Sequence, residues 1–161
     1  MEGSNWKVSI FRFFKSFKAT IMKKHMAIIV DLDGTLAIFE GVRDGLDFSD
    51  VSKDKVNEPI RELVNRLKSL NIKIIILSGR PCTPDVYAQT VFWLEECNIP
   101  YDYVFLVDRE GKPDEENKKY FYEKYIKPRF KIEFVLEDRN RVVKMWRELG
   151  LPCLQVAETD Y

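Results

Sequence analysis

The residues best suited to chemistry in this 161-residue chain are two carboxylates one position apart, in the string Asp31-Leu32-Asp33-Gly34-Thr35-Leu36. They directly follow the apolar run HMAIIV and directly precede Gly-Thr. Two acids side by side at the end of a buried run are costly to keep charged unless a cation, or a site built for a transferring phosphate, offsets them. A single Asp here would read as an acidic loop cap; the pair reads as a centre for metal-assisted phosphoryl chemistry.

The elements around the pair must hold it in place. Residues 25–30 and 72–77 are short β-rich runs, and residues 55–70 between them are amphipathic, with Ile60, Leu63, Val64, Leu67 and Leu70 at helical spacing. Thr83-Pro84-Asp85 supplies an N-cap, a proline at the first helical position and an acid in the first turn, which predicts a helix through about residue 96. Further strands are expected at 103–107, 132–136 and 153–156, with helices at 114–126 and 140–149. Strands separated by helices of roughly 10–15 residues predict an α/β sandwich of three layers around a mainly parallel sheet. Ligands of such sheets bind outside the carboxyl ends of the strands.

Those ends carry further polar groups. The second strand runs into Ser78-Gly79-Arg80, which by itself is an ordinary turn. Asp114 and Lys118 stand four apart near the start of a helix and share a face, as a surface ion pair also would. The fourth strand leads to Glu137-Asp138-Arg139. Neighbouring acids on a strand point to opposite sides, so the two are not expected to play equivalent roles, and Glu137 could simply pair with Arg139 or Arg141.

Charge is balanced, with 26 Lys+Arg against 26 Asp+Glu, but unevenly distributed. Residues 1–26 carry +5 and the remaining 135 carry −5, so a basic leader precedes an acidic domain. The division is expected at a leader of residues 1–24 and a domain of residues 25–161. On a helical wheel Trp6, Ile10, Phe13, Phe14, Phe17 and Ile21 oppose Lys7, Arg12, Lys15 and Lys18. Such a helix can contact nucleic acid, a membrane surface or a protein, or pack on its own domain. Three scattered cysteines form neither a disulfide framework nor a zinc site, which suits a reducing, cytoplasmic compartment. No stretch approaches 18 uninterrupted apolar residues, which argues against a membrane span.

Taken together, DLDGTLA, SGR, DxxxK and EDRxxVVxMWRxLGxxCxQVAxxDY resemble the haloacid dehalogenase superfamily of phosphohydrolases. Within it they are similar to the 3′-phosphatase domain of phage-type polynucleotide kinase-phosphatases, over residues 27–161. The resemblance implies a Rossmann-like five-stranded sheet in the order 3-2-1-4-5. It implies Asp31 as the nucleophile that forms an aspartyl-phosphate, Asp33 as general acid and base, and Ser78, Arg80 and Lys118 as groups on the phosphate. Thr35, Gly79, Arg43 and Asp114 are the implied substrate contacts, Asp114 orienting Lys118. Mg²⁺ is the implied cofactor, held directly by Asp31, Asp33 through its carbonyl and Asp138, with Glu137 in a more remote or water-mediated contact. The family pairs two aspartates where this chain has Glu137-Asp138, and its arginine after the first motif lies about one residue from Arg43. Spacings of 47 residues from Asp31 to Ser78 and 40 from Ser78 to Lys118 leave no room for a large cap domain. No GxxxxGK[ST] occurs in the sequence, so a 5′-kinase phosphate loop is not expected within it. The implied substrate is a 3′-phosphorylated DNA or RNA end, with a separate kinase or ligase as a possible partner. The alternatives are a small-molecule phosphatase acting on a nucleotide or sugar phosphate, and a vestigial binding or scaffold protein.

Overall fold

In a computed structural model of the protein, residues 24–38, 48, 51–107 and 111–159 are described. The run HMAIIV forms β1 (His25–Val30), buried along its last four residues. Ala27 and Ile29 pack on one face with Ile75, Leu77, Val143 and Trp146, and Ile28 and Val30 on the other with Ile74, Ile76, Val64 and Trp93. Burial on both faces explains why this strand reads as a continuous apolar run rather than an alternating one.

A small antiparallel pair follows, β2 (Ala37–Ile38) with β3 (Lys55–Val56), then α1 (Glu58–Ser69), β4 (Lys73–Ser78) and α2 (Pro84–Glu96). The chain continues through β5 (Tyr103–Leu106), α3 (Asp114–Phe121), β6 (Phe130–Arg139), α4 (Asn140–Glu148) and β7 (Cys153–Thr159). The main sheet has the order β5-β4-β1-β6-β7, with every pairing parallel. This is the expected Rossmann-like order. Residues of α1 and α2 cover one face, and residues of α3 and α4 the other.

Local signals account for most of the boundaries. The Thr83 hydroxyl accepts from the Val86 amide at 3.3 Å, and Pro84 opens α2. Asn71 and Asn98, at φ 61° and 52°, turn the chain left-handed just past α1 and α2. Beyond them Asp102 accepts from the Lys68 and Lys73 ammonium groups at 2.6 and 2.8 Å and from the Ile74 amide at 2.9 Å. One carboxylate thereby ties the end of α1 and the start of β4 to the approach to β5.

Three elements differ from their expected extents. The helix expected over residues 114–126 is α-helical for Asp114–Phe121 and then widens into a π turn, Tyr122–Ile126, closed by the Lys127 amide on the Tyr122 carbonyl at 2.8 Å. The wider turn lets Tyr122 and Ile126 both reach the core, and Pro128 has no amide with which to continue it. β6 extends to Arg139, so Glu137 and Asp138 belong to the strand rather than to a loop after it. β7 extends to Thr159.

Arg43 and residues 1–23 of the leader lie outside the described residues. Lys24, the last leader residue, donates to the Lys127 carbonyl at 2.8 Å. Among the described residues no helix is long and apolar enough to cross a membrane.

Candidate active site

β1 ends by delivering Asp31 to the crevice, with its amide still in the ladder and donating to the Leu136 carbonyl at 3.0 Å. The chain then turns so tightly that the amides of Thr35, Leu36 and Ala37 all donate to the Leu32 carbonyl, at 3.1, 2.9 and 2.7 Å. Gly34 makes the turn with φ +90°, and a Cβ there would lie 2.1 Å from Asp138 Oδ2. Backbone conformation and close approach therefore both require glycine. Asn57, just after β3, pins the loop by donating to the Thr35 carbonyl at 2.9 Å.

The first turns of α3 supply the cation opposite Asp31. Lys118 is 1% exposed, and its Nζ lies 2.7 Å from Asp31 Oδ1, 2.9 Å from Glu137 Oε2 and 3.4 Å from Asp114 Oδ2. Burial alone would lower its pKa, but Asp31, Glu137 and Asp114 outweigh it and hold the ammonium well above its ordinary value. Asp114 also accepts from Arg139 Nη1 at 3.0 Å. Its Oδ1 is buried with no hydrogen-bond partner among the described residues, and a Cβ at Gly79 would lie 2.4 Å from it.

Asp31, Glu137 and Asp138 each present one carboxylate oxygen, and these lie within 4.8 Å of one another. The two adjacent acids converge, contrary to the expectation that they point apart. Glu137 bends back so that its Oε1 accepts from the amides of Asp138 and Arg139 at 3.2 and 3.3 Å, while Oε2 takes Lys118. The β6–β7 register also shifts at this point, Glu137 facing Gln155 and Arg139 facing Thr159. Asp138 accepts from two hydroxyls, Thr35 Oγ1 on Oδ1 at 3.3 Å and Thr159 Oγ1 on Oδ2 at 2.5 Å.

This charge arrangement suits a hard divalent cation. Among the described residues Lys118 and Arg139 are the cations in contact with the four carboxylates of Asp31, Asp114, Glu137 and Asp138. Burial, reinforced by the neighbouring Glu137 charge, pushes the Asp31 carboxyl up to about 7 despite Lys118. Burial likewise raises Glu137, and burial with the Asp31 charge raises Asp138. An ion among three convergent oxygens would relieve all three.

Asp33 is held from the side. Arg80, 0% exposed, donates from Nε and Nη2 to the two Asp33 oxygens, at 2.8 Å each, from Nη2 to Asp54 Oδ2 at 3.1 Å and from Nη1 to Thr90 Oγ1 at 3.0 Å. Its guanidinium thus reaches the site through Asp33, whereas the sequence suggests donors aimed at a phosphate. Ser78 is buried, its hydroxyl 3.5 Å from Asp33 Oδ2 and accepting from the Arg80 amide at 3.2 Å. The Asp54 carbonyl in turn accepts from Trp93 Nε1 at 2.7 Å.

The structure brings Asp31, Asp33, Gly79, Asp114, Lys118, Glu137 and Asp138 around one crevice, with Phe48 and Arg139 also lining it. Thr35, Ser78 and Arg80 stand immediately behind. Sequence reasoning missed Asp54, Thr90 and Thr159. Thr90 carried a faint signal, a hydroxyl three residues before Trp93 on the face α2 buries; the other two carried none.

The polynucleotide kinase PNKP phosphatase domain family matches residues 25–161. A putative bifunctional polynucleotide kinase/RNA ligase of Autographa californica nuclear polyhedrosis virus is 27% identical over 143 residues, 84% of this chain and 20% of that protein. The solved Pnkp1/Rnl/Hen1 complex contains a chain that superposes with a TM-score of 0.80 at 35% identity, over 91% of this chain and 52% of that one. A structure of the Pnkp1/Rnl/Hen1 RNA repair complex gives 0.80 at 34%, over 91% and 46%. The class C acid phosphatase from Bacillus anthracis, at 14% identity and a TM-score of 0.62, covers 96% of this chain and 73% of its own and shares the fold. The chain thus spans about half the length of the Pnkp1 chains and a fifth of the viral relative.

Proposed function

Because the chain belongs to the family of PNKP phosphatase domains, phosphoric monoester hydrolases of the haloacid dehalogenase type, we propose that it removes 3′-phosphates from polynucleotide ends. The observation that carries this reading is the buried Asp31 at the end of the central strand, 2.7 Å from a buried Lys118 and grouped with two more acids.

Asp31 attacks phosphorus, the bond from phosphorus to the 3′-oxygen breaks, and Asp33 delivers a proton to that oxygen. Asp33 then takes a proton from the water whose oxygen attacks the aspartyl-phosphate, releasing inorganic phosphate and restoring Asp31. Lys118 orients Asp31 and balances charge as phosphate enters, and Arg80 keeps Asp33 aligned in both steps. Asp31, Glu137 and Asp138, with the Asp33 carbonyl, would hold Mg²⁺, which when bound offsets the charge of the transferring phosphoryl group. Ser78, Thr35 and the Gly79 backbone are the proposed phosphate contacts.

The solved relatives belong to a Pnkp1/Rnl/Hen1 RNA repair complex, and the viral relative is described as a bifunctional polynucleotide kinase/RNA ligase. RNA ends, with a separate ligase or kinase alongside, are therefore the proposed setting, in the cytoplasm. The test is phosphate release from a 3′-phosphorylated oligonucleotide and from the matching 3′-mononucleotide. Preference for the oligonucleotide, abolished in Asp31→Asn, is the expected result. Equal turnover of both would assign the site to small phosphate esters, and an active Asp31→Asn would remove Asp31 as nucleophile.

A further inference from the structure

We infer that Thr159, on the last strand described, is a positioning residue for the divalent-cation site, acting through Asp138. The inference deepens the reading above and rests on its metal site. Among the three convergent carboxylates the partners are unequal. Asp31 and Glu137 both share the Lys118 ammonium, at 2.7 and 2.9 Å. Any cation entering must compete with that ammonium for them. The side-chain donors on Asp138 are neutral, Thr35 on one oxygen and Thr159 on the other. Its negative charge is therefore the one left most fully for an ion, and each of its oxygens keeps a lone pair after accepting one hydroxyl proton.

The backbone is shaped to bring Thr159 there. Three residues on β6, from Glu137 to Arg139, lie opposite five on β7, from Gln155 to Thr159. The extra residues bulge the strand, a device that re-aims side chains beside sites. Gln155 secures the same stretch by donating to the Asp138 carbonyl at 3.0 Å and to Asn140 Oδ1 at 2.6 Å. With the backbone fixed by Gln155 and the Gly34 backbone crowding the carboxylate, its remaining rotation is set by the two hydroxyls, Thr159 at 2.5 Å making the shorter contact and Thr35 at 3.3 Å the longer. Groups that orient a metal ligand from behind change affinity roughly 10–100-fold when removed.

The test is Mn²⁺ binding to the full chain by calorimetry and by electron paramagnetic resonance, with no phosphate ester present. Thr159→Val keeps the shape and removes the hydroxyl; Thr159→Ser keeps the hydroxyl. Expected is about 10-fold weaker Mn²⁺ binding in Thr159→Val at unchanged secondary structure, with affinity restored in Thr159→Ser. In turnover, excess Mg²⁺ should recover kcat in Thr159→Val while KM for the ester stays as in the parent. Equal affinity in Thr159→Val and the parent, or a folded Thr159→Ser as weak as Thr159→Val, overturns the role of Thr159 and leaves the phosphatase reading standing. A parent protein that takes up no Mn²⁺ overturns both.

Discussion

Replacing Lys118 with methionine should expose how the site is balanced. The substitution keeps length and volume but removes the ammonium that touches Asp31, Glu137 and Asp114 at 2.7, 2.9 and 3.4 Å. All four side chains are nearly inaccessible to water, so solvent cannot take over the lost contacts. Removing one partner of a buried ion pair costs about 3–5 kcal/mol, since the remaining charge stays buried and uncompensated. For a domain of this size each kcal/mol shifts Tm by roughly 2–4 °C, so Lys118→Met should melt about 10 °C lower in EDTA. Part of the loss should return with Mg²⁺, a second source of positive charge at the same oxygens. It should also return when Glu137→Gln is added, because that removes one of the stranded carboxylates. Lys118 is a force that lowers the Asp31 pKa, so its loss should also move Asp31 above about 7 and leave the proposed nucleophile largely protonated at neutral pH. Differential scanning calorimetry of the single and double variants, with and without Mg²⁺, measures each element. A Lys118→Met protein that melts like the parent in EDTA would refute the claim that this ammonium holds the acids together.

Gly34→Ala places a methyl on a backbone at φ +90° and 2.1 Å from Asp138 Oδ2, so it should fold with lower stability and bind Mn²⁺ markedly more weakly; titration calorimetry checks it. Arg80→Lys cannot reproduce the paired bonds to Asp33, and its turnover should fall much more on an alkyl phosphate than on an aryl phosphate whose leaving group needs no proton. Equal losses on both esters would show that Arg80 does not act through Asp33. Burial alone would raise the Asp102 carboxyl, but hydrogen bonds from Lys68, Lys73 and the Ile74 amide outweigh it and hold it below its ordinary value. A group with a depressed folded pKa adds stability above its unfolded value, about 3.9, and loses it as pH falls through the folded value. Asp102→Asn should therefore be less stable than the parent at neutral pH and converge with it in acid, as followed by urea unfolding at a series of pH values.

The elements legible in the sequence are those whose signals are local. Strands buried on both faces announce themselves as apolar runs, and α2 carries its cap and its proline within three residues. The proposed catalytic groups at β1, β4, α3 and β6 were visible as acids, a hydroxyl and a lysine at strand ends or on one helix face. The convergence of Glu137 and Asp138 was hidden because Glu137 folds back onto the amides of Asp138 and Arg139, and strand alternation by itself predicts the opposite. Burial of Arg80 was hidden for a similar reason. Its partners Asp54 and Thr90 come from a turn and a helix that only the fold brings to it. The π turn after α3 was unreadable because residues 114–126 have uniform helical character until Pro128.

The central place of β1 also bears on how the protein is made. Asp31 emerges from the ribosome 87 residues before Lys118, and Thr35 must wait 103 residues for Asp138. β1 has β4 on one side and β6 on the other, so its second edge stays unpaired until β6 has been synthesised. A nascent chain therefore carries the proposed nucleophile without the groups that orient it, and the candidate cation site assembles only when β6 arrives. Cation uptake therefore reports completion of this sheet, and a translation intermediate stopped before β6 should be inert towards phosphate esters.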